Sequence, residues 1–414
     1  MSGRLQAPRG TYDVLGDAAL VRAALEGHAQ RILERAGYER IETPTFEATE
    51  LFARGVGEST DVVQKEMYTF PDEGGTSLTL RPEGTAPVCR AYLEHGMHKL
   101  PQPVKLWYLS TFFRRERPQA GRFRQFWQVG SEAIGSDDPG VDAESILLLA
   151  ELLEAIGARG LRLRLSSLGT PETRAAYRVE LQEHLREFED ELAPEVRARL
   201  ELNPLRAFDS DHPGTRRVME EAPLLVDRLS AEDRDHLEEV SALLDAAGIA
   251  HDLDPTLVRG LDYYTRTVFE FTSDALGAQS GVGGGGRYDG LMEQIGGPPT
   301  PGMGWAAGVE RMLLASPAPP TAAPPLELYV AYAKPGLRIP AFRLAADARR
   351  AGHAARVELG GRSLKGQLKQ ADRAGARYVA ILGDEGVSLK DMESGEQKTV
   401  ELDTVMHHIT HGAL

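Results

Sequence analysis

The run Ser316-Pro-Ala-Pro-Pro-Thr-Ala-Ala-Pro-Pro325 constrains the fold of this chain more than any other segment. Five prolines in ten residues remove five backbone donors and fix five φ angles, so neither a helix nor a central strand can pass through it. Such a segment is a semi-rigid spacer. It closes a large region, 1–325 with the spacer at 316–325, and opens a short one, 326–414. At 414 residues the chain is too long for one core, and separate domains are expected.

The short region alternates strand (326–333), helix (340–351), strand (354–359), helix (364–374), strand (377–382) and two shorter strands. That order predicts a small α/β domain with a largely parallel sheet. It is also basic. From Ala333 to Arg377, eleven Lys/Arg stand against three acids, a local +8 in a chain whose net charge is −15. The total argues against a nucleic-acid partner and the distribution argues for one, because a clustered basic face is what a phosphate backbone meets. The alternative is that these side chains merely solvate two helices.

The large region opens with a helix from Asp17, its expected N-cap, to a stop at Gly37, with Val21, Leu25, Ile32 and Ala36 in helical spacing. Strand signals follow at 38–44, 77–81, 104–114, 122–134 and 162–166. From about 170 to 250 the pattern is charged and helical, an inserted helical subdomain, because strand-rich sequence resumes at Leu257.

Chemistry concentrates in four places. Arg259, Asp262, Tyr263, Tyr264 and Arg266 crowd into eight positions, too polar for a buried strand and too aromatic for a solvated loop. The Gly283-Gly-Gly-Gly-Arg-Tyr-Asp-Gly290 run supplies a backbone for close approach and positive φ beside it. Segments 104–114 and 122–134 form a hairpin whose alternation puts Arg124, Gln128 and Glu132 on one face and Phe123, Trp127 and Val129 on the other. An arginine at one end and a carboxylate at the other suit a ligand with a phosphate end and a basic end. The turn Thr79-Leu-Arg-Pro-Glu-Gly-Thr85 offers Glu83 and Thr85 to an ammonium group, and Gly302 to Arg311 reads as a strand entering a helix that carries Arg311.

Other signals are set aside. Gly281, Gly283 and Gly286 fit G-x-G-x-x-G without the βαβ context of a dinucleotide site. Cys89 is the single cysteine, which excludes an intrachain disulfide and a cysteine metal site. His407, His408 and His411 read as a solvated helix end. No apolar run approaches the roughly 18 residues of a membrane span, and the N-terminus lacks the apolar core of a signal peptide, so the cytoplasm is expected.

Together these pieces resemble the histidyl-tRNA synthetases of the class II aminoacyl-tRNA synthetase family. Tyr38 to Pro44 with its preceding helix is similar to the dimer-forming first class motif, Phe113 to Phe126 to the second and Gly304 to Arg311 to the third. Leu257 to Glu270 and Gly285 to Gly290 resemble the two histidine-specific signatures, and Asp61 to Phe70 also looks like the family. The resemblance implies an α+β catalytic domain with an antiparallel sheet flanked by helices, the helical insertion, and a C-terminal α/β anticodon-binding domain. It implies a histidine-tRNA ligase that uses ATP and Mg2+ to make histidyl-adenylate and then charges tRNA-His, as a homodimer. Arg114 would then hold the α-phosphate, Arg259 the substrate carboxylate and α-phosphate from the opposite side, and Arg311 the ATP phosphates and adenine. Glu83, Thr85 and Gln128 would take the α-ammonium, Glu132 and Tyr264 the two imidazole nitrogens, and Tyr263 would line the pocket. Two rivals share the fold: the non-catalytic regulatory subunit of ATP phosphoribosyltransferase, and another class II synthetase with the same C-terminal domain.

Overall fold

The computed structural model describes residues 4–57, 60–277, 280–317 and 326–411. Of the proline-rich spacer only Ser316 and Pro317 fall within the described residues. The chain divides into two units, Met1–Pro319 and Pro320–Leu414.

In the first unit, strand β1 (Glu39–Arg40) precedes three short strands, β2 (Phe46–Ala48), β3 (Tyr68–Pro71) and β4 (Ser77–Leu80), which form their own sheet in the order β2-β4-β3. Then come β5 (Val104–Phe113), β6 (Gln125–Ile134), β7 (Leu161–Ser167), β8 (Asp252–Leu253), β9 (Thr265–Ser273), β10 (Gly281–Arg287) and β11 (Gly302–Gly308). With β1 they make an eight-stranded sheet of order β1-β5-β6-β11-β10-β9-β7-β8. The inner pairings are all antiparallel, while the two-residue edge strands β1 and β8 pair in parallel.

Alternation along these strands separates two cores. Trp107, Val129, Phe269, Phe271, Met303 and Trp305 face a layer made by helices Asp17–Arg35, Pro139–Ala155 and Ala231–Ala246. Tyr108, Phe112, Tyr263, Tyr264 and Val268 face the other way, toward helix Thr85–Glu94 and the insertion. The first helix begins at Asp17 with Gly16 as its cap, one residue before the expected position. It ends where expected. Gly37 at φ 83° donates to Glu34 O, and Tyr38 N reaches Leu33 O at 3.0 Å, the 5→2 and 6→1 bonds of a Schellman stop.

Between β7 and β8 lie helices Pro171–Glu187, Pro194–Arg197, Pro213–Glu220 and Ala231–Ala246. The last does not belong with the others. Its Val240 and Leu244 are buried in the layer behind the sheet, and His236 meets Asp142 at 2.8 Å.

The second unit contains β12 (Leu328–Tyr332), β13 (Ala355–Val357), β14 (Tyr378–Gly383), β15 (Gly386–Asp391) and β16 (Gln397–Val400) in the order β13-β12-β14-β15-β16. Helices Arg338–Arg350 and Leu364–Arg373 make the crossovers between the first three strands, which are parallel. The last two pair antiparallel, so the sheet is mixed rather than largely parallel. The physical reason is length: the two residues between β14 and β15 can only turn back, whereas a parallel return needs a crossover of a dozen or more residues. Helix Val405–His411 is the last described element of this unit and carries His407, His408 and His411.

Candidate active site

A cavity of about 770 Å³ opens on the face of the large sheet away from the helical layer. The floor is β6, β9, β10 and β11, and the walls come from the Pro82–Thr85 turn, the hairpin link, the 256–264 loop and the insertion. Glu83, Thr85, Arg114, Gln128, Arg259, Tyr263, Tyr264 and Arg311 all line it.

The arginines stand on different elements. Arg114 follows β5, donates from Nε to Pro82 O at 2.9 Å, and lies over the Phe126 ring. Arg259, on the loop before β9, is 19% exposed and pairs with Glu270 at 2.8 Å. Its Nε–H is buried without an acceptor among the described residues. Arg311, on the helix after β11, donates from Nε to Gly281 O. Glu83 caps helix Thr85–Glu94, accepting from Thr85 N at 2.8 Å and Ala86 N at 3.0 Å. Burial raises its pKa against these bonds. Gln128 keeps a buried Oε1 that accepts no hydrogen bond from the described residues.

Glu132 is placed differently from the other expected site residues. Strand parity predicts that it shares the ligand-facing side with Arg124 and Gln128. It does share the side, but it lies one layer behind the cavity wall, fully buried. Its carboxyl accepts from Thr85 Oγ1 at 2.8 Å, Tyr288 OH at 2.7 Å and Tyr108 OH at 3.4 Å. Burial pushes its pKa up to about 8, although the hydroxyls pull it down. Arg124 is outside the cavity, its Nε near Glu116 O and its backbone N–H bonded to Gly10 O at 2.8 Å. Phe123 precedes β6, so alternation does not govern it, and it lines the cavity. Trp127 points away as its parity predicts, beneath the Arg22 guanidinium.

The polar cluster at 259–266 divides in the same way. Asp262 accepts from Asn203 Nδ2 at 3.3 Å. Arg266, at φ 43°, sits in the bulge of β9 and bonds Asp233 at 2.9 Å, which ties the strand to helix Ala231–Ala246. Tyr263 packs edge-on against Tyr264 with centroids 4.7 Å apart. The glycines of β10 correct another expectation: none has positive φ, and they serve close approach alone. Sequence reasoning missed Tyr108 and Tyr288, which hold Glu132, and Glu270, which holds Arg259. It also missed Glu310, a buried carboxylate that joins Tyr12 OH at 2.8 Å to Trp127 N. Tyr108, Glu270 and Glu310 are ordinary members of a strand or helix pattern and Tyr288 directly follows β10, so only tertiary contact distinguishes them.

An antiparallel sheet of this order, with one arginine after the hairpin strand and another on the helix after the last strand, defines a class II aminoacyl-tRNA synthetase. Residues 10–312 match the family described as histidyl-tRNA synthetase, and residues 328–411 match an anticodon binding domain. A histidine–tRNA ligase of Thermosynechococcus vestitus is 48% identical over 404 residues, 96% of this chain and 94% of its own. One of Streptomyces coelicolor is 49% identical over 416 residues, covering 97% and 96%. The apo S. aureus histidyl-tRNA synthetase superposes with a TM-score of 0.82 at 35% identity, covering 98% of this chain and all of that one. The chain belongs to the histidyl-tRNA synthetase family.

Proposed function

We infer that the chain is a histidine–tRNA ligase, which joins histidine to ATP as histidyl-adenylate, releases pyrophosphate, and passes histidine to the 3′ end of tRNA-His. The observation that carries this reading is one cavity lined by two opposite chemistries. Arg114, Arg259 and Arg311 supply cations for phosphates, while Glu83, Gln128 and the tyrosines supply acceptors and hydroxyls for an amino acid.

The chemistry asks mainly for positioning and charge. The histidine carboxylate must lie in line with the α-phosphate while negative charge builds there. Arg114 and Arg259, from opposite sides, take that charge, and Arg311 clamps the ATP phosphates and stacks on adenine. Glu83, Thr85 and the unpaired Gln128 Oε1 hold the α-ammonium. Tyr264 and Glu132 take the two ring nitrogens, with Tyr263 lining the pocket. For Glu132 this means exchanging its Thr85 bond for the ligand. A site whose buried groups expect a ring with two nitrogens rejects side chains that leave them unpaired.

Mg2+ enters with ATP. Among the described residues no three His, Cys, Asp or Glu side chains cluster as a cation site. Most of the cavity carboxylates are already engaged: Glu83 by backbone N–H groups, Glu310 by Tyr12, and Asp61, Glu116, Asp209 and Glu270 by arginines. Such a donor set fits a cation carried on phosphates, its usual binding mode, with charge neutralisation as its contribution.

The second unit is the tRNA-binding part. Lys365, Lys369 and Arg373 are exposed at i, i+4 and i+8 on one face of helix Leu364–Arg373, with no acidic side chain within 4.0 Å among the described residues. Such a row contacts phosphates without choosing the amino acid. Homodimer formation and a cytoplasmic location belong to the same reading. No helix among the described residues is long and apolar enough to cross a membrane. The regulatory-subunit alternative is disfavoured by the intact Arg-Gly-Leu-Asp-Tyr-Tyr run and the anticodon-domain match. Full-length protein given labelled histidine, ATP and bulk tRNA tests the reading: labelled tRNA is expected, and its absence under conditions that support adenylation would overturn the transfer step.

A further inference from the structure

We propose that Glu270 is a positioning residue for adenylation: its carboxylate holds the Arg259 guanidinium in the cavity wall before ATP and histidine arrive. The inference rests on the role given to Arg259 above.

Arg259 sits on a loop, and a loop does not orient a long side chain by itself. An arginine side chain carries about 2 kcal/mol of rotamer entropy. Glu270 stands on rigid ground. It lies within β9 between Phe269 and Phe271, whose rings are buried on the opposite face, so strand alternation aims the carboxylate at the cavity. One oxygen accepts from Arg259 Nη1 at 2.8 Å, and the other faces Arg164 Nη1 at 3.5 Å. Arg164 is held in turn by Asp254 at 2.6 Å. An Asp254–Arg164–Glu270–Arg259 chain of alternating charge therefore ends at the site.

The neighbouring strand leaves room for this pair. A Cβ added at Gly281 would stand 2.8 Å from the Glu270 oxygen that Arg259 uses, and one at Gly284 would stand 3.2 Å from Arg259 Nη1. Glu270 engages one edge of the guanidinium, while Nε–H has no acceptor among the described residues. The group is thus held with donor capacity to spare, as a pre-organised charge stabiliser requires.

The test uses full-length protein and single-turnover formation of histidyl-adenylate. Glu270→Gln keeps the shape and removes the charge. Its adenylation rate constant is expected to fall roughly 10- to 100-fold, with the KM values for histidine and ATP within about 3-fold of wild type. Glu270→Asp is expected to recover part of the loss. Combined with Arg259→Ala, Glu270→Gln should add no further loss, because both changes remove one function. Calorimetric histidine binding and thermal melting check the fold, and if Glu270→Gln does not fold, Glu270→Asp carries the same cycle. A wild-type rate in Glu270→Gln, a raised KM for ATP at unchanged rate, or losses that multiply with Arg259→Ala would each overturn the proposal. A wild-type protein that activates no histidine would instead overturn the ligase reading, and the proposal with it.

Discussion

Arg259 carries the strongest demand at the scale of single residues. If it meets charge that develops only during adenylation, Arg259→Ala should slow that step about 100-fold or more, on the order of 3 kcal/mol, and leave histidine affinity little changed. Single-turnover rates and calorimetry on the same preparation separate the two. Normal activation with collapsed affinity would make it a binding residue. Glu132 makes a second prediction through pH. Its carboxyl is fully buried, and its pKa in the folded protein is about 8 against 4.5 when free. The folded state therefore binds the proton more tightly than the unfolded state. The resulting stability is complete below about 4.5 and is lost as pH rises through about 8, by an amount on the order of a few kcal/mol. Urea melts should show wild type weakening between those pH values and Glu132→Gln changing less. Equal slopes would contradict this. The residue types at these positions were legible in the sequence. The partners were not: that Arg259 meets Glu270, or that Glu132 lies behind Thr85, depends on which strands become neighbours.

At the scale of elements, the β6–β11 pairing sets the geometry of Glu132. Gly304 faces Glu132 across these strands, and a Cβ at 304 would overlap the carboxylate. Gly304→Ala should therefore displace Glu132, weaken histidine binding and cost about 1–3 kcal/mol of stability. Calorimetry and denaturant melts would show both, and unchanged histidine affinity would remove Glu132 from ring recognition. Hairpin alternation predicted the side Gln128 and Glu132 occupy, because a period of two survives burial. It failed at Phe123, which is not in the strand. The glycine run is visible, and of its two expected uses close approach holds while positive φ does not. Dense glycine signals either positive φ or crowding, and only the paired backbones of β9 and β11 decide for crowding. The helical insertion was legible by its charge pattern. That helix Ala231–Ala246 joins the layer behind the sheet was not, because its apolar stripe does not say which partner it meets.

On the scale of the whole molecule, the two units have separate cores, one set around the eight-stranded sheet and another around β12 to β16. A chain cut near residue 325 should keep part of its histidine-dependent pyrophosphate exchange. It should lose most tRNA charging and bind tRNA with a shallower salt dependence, since the Lys365, Lys369 and Arg373 row is gone. Equal charging and an equal salt slope in a truncated protein of unchanged oligomeric mass would remove tRNA binding from the second unit. The division into a large and a small region could be read from five prolines, because proline acts locally. The mixed sheet of the small unit needed the lengths of its last connections. The central claim is that one cavity activates one amino acid, and amino-acid-dependent ATP–pyrophosphate exchange measured with each of the twenty tests it most directly. Strong exchange with histidine alone is the predicted result; equal exchange with another amino acid, or none with histidine, would contradict it.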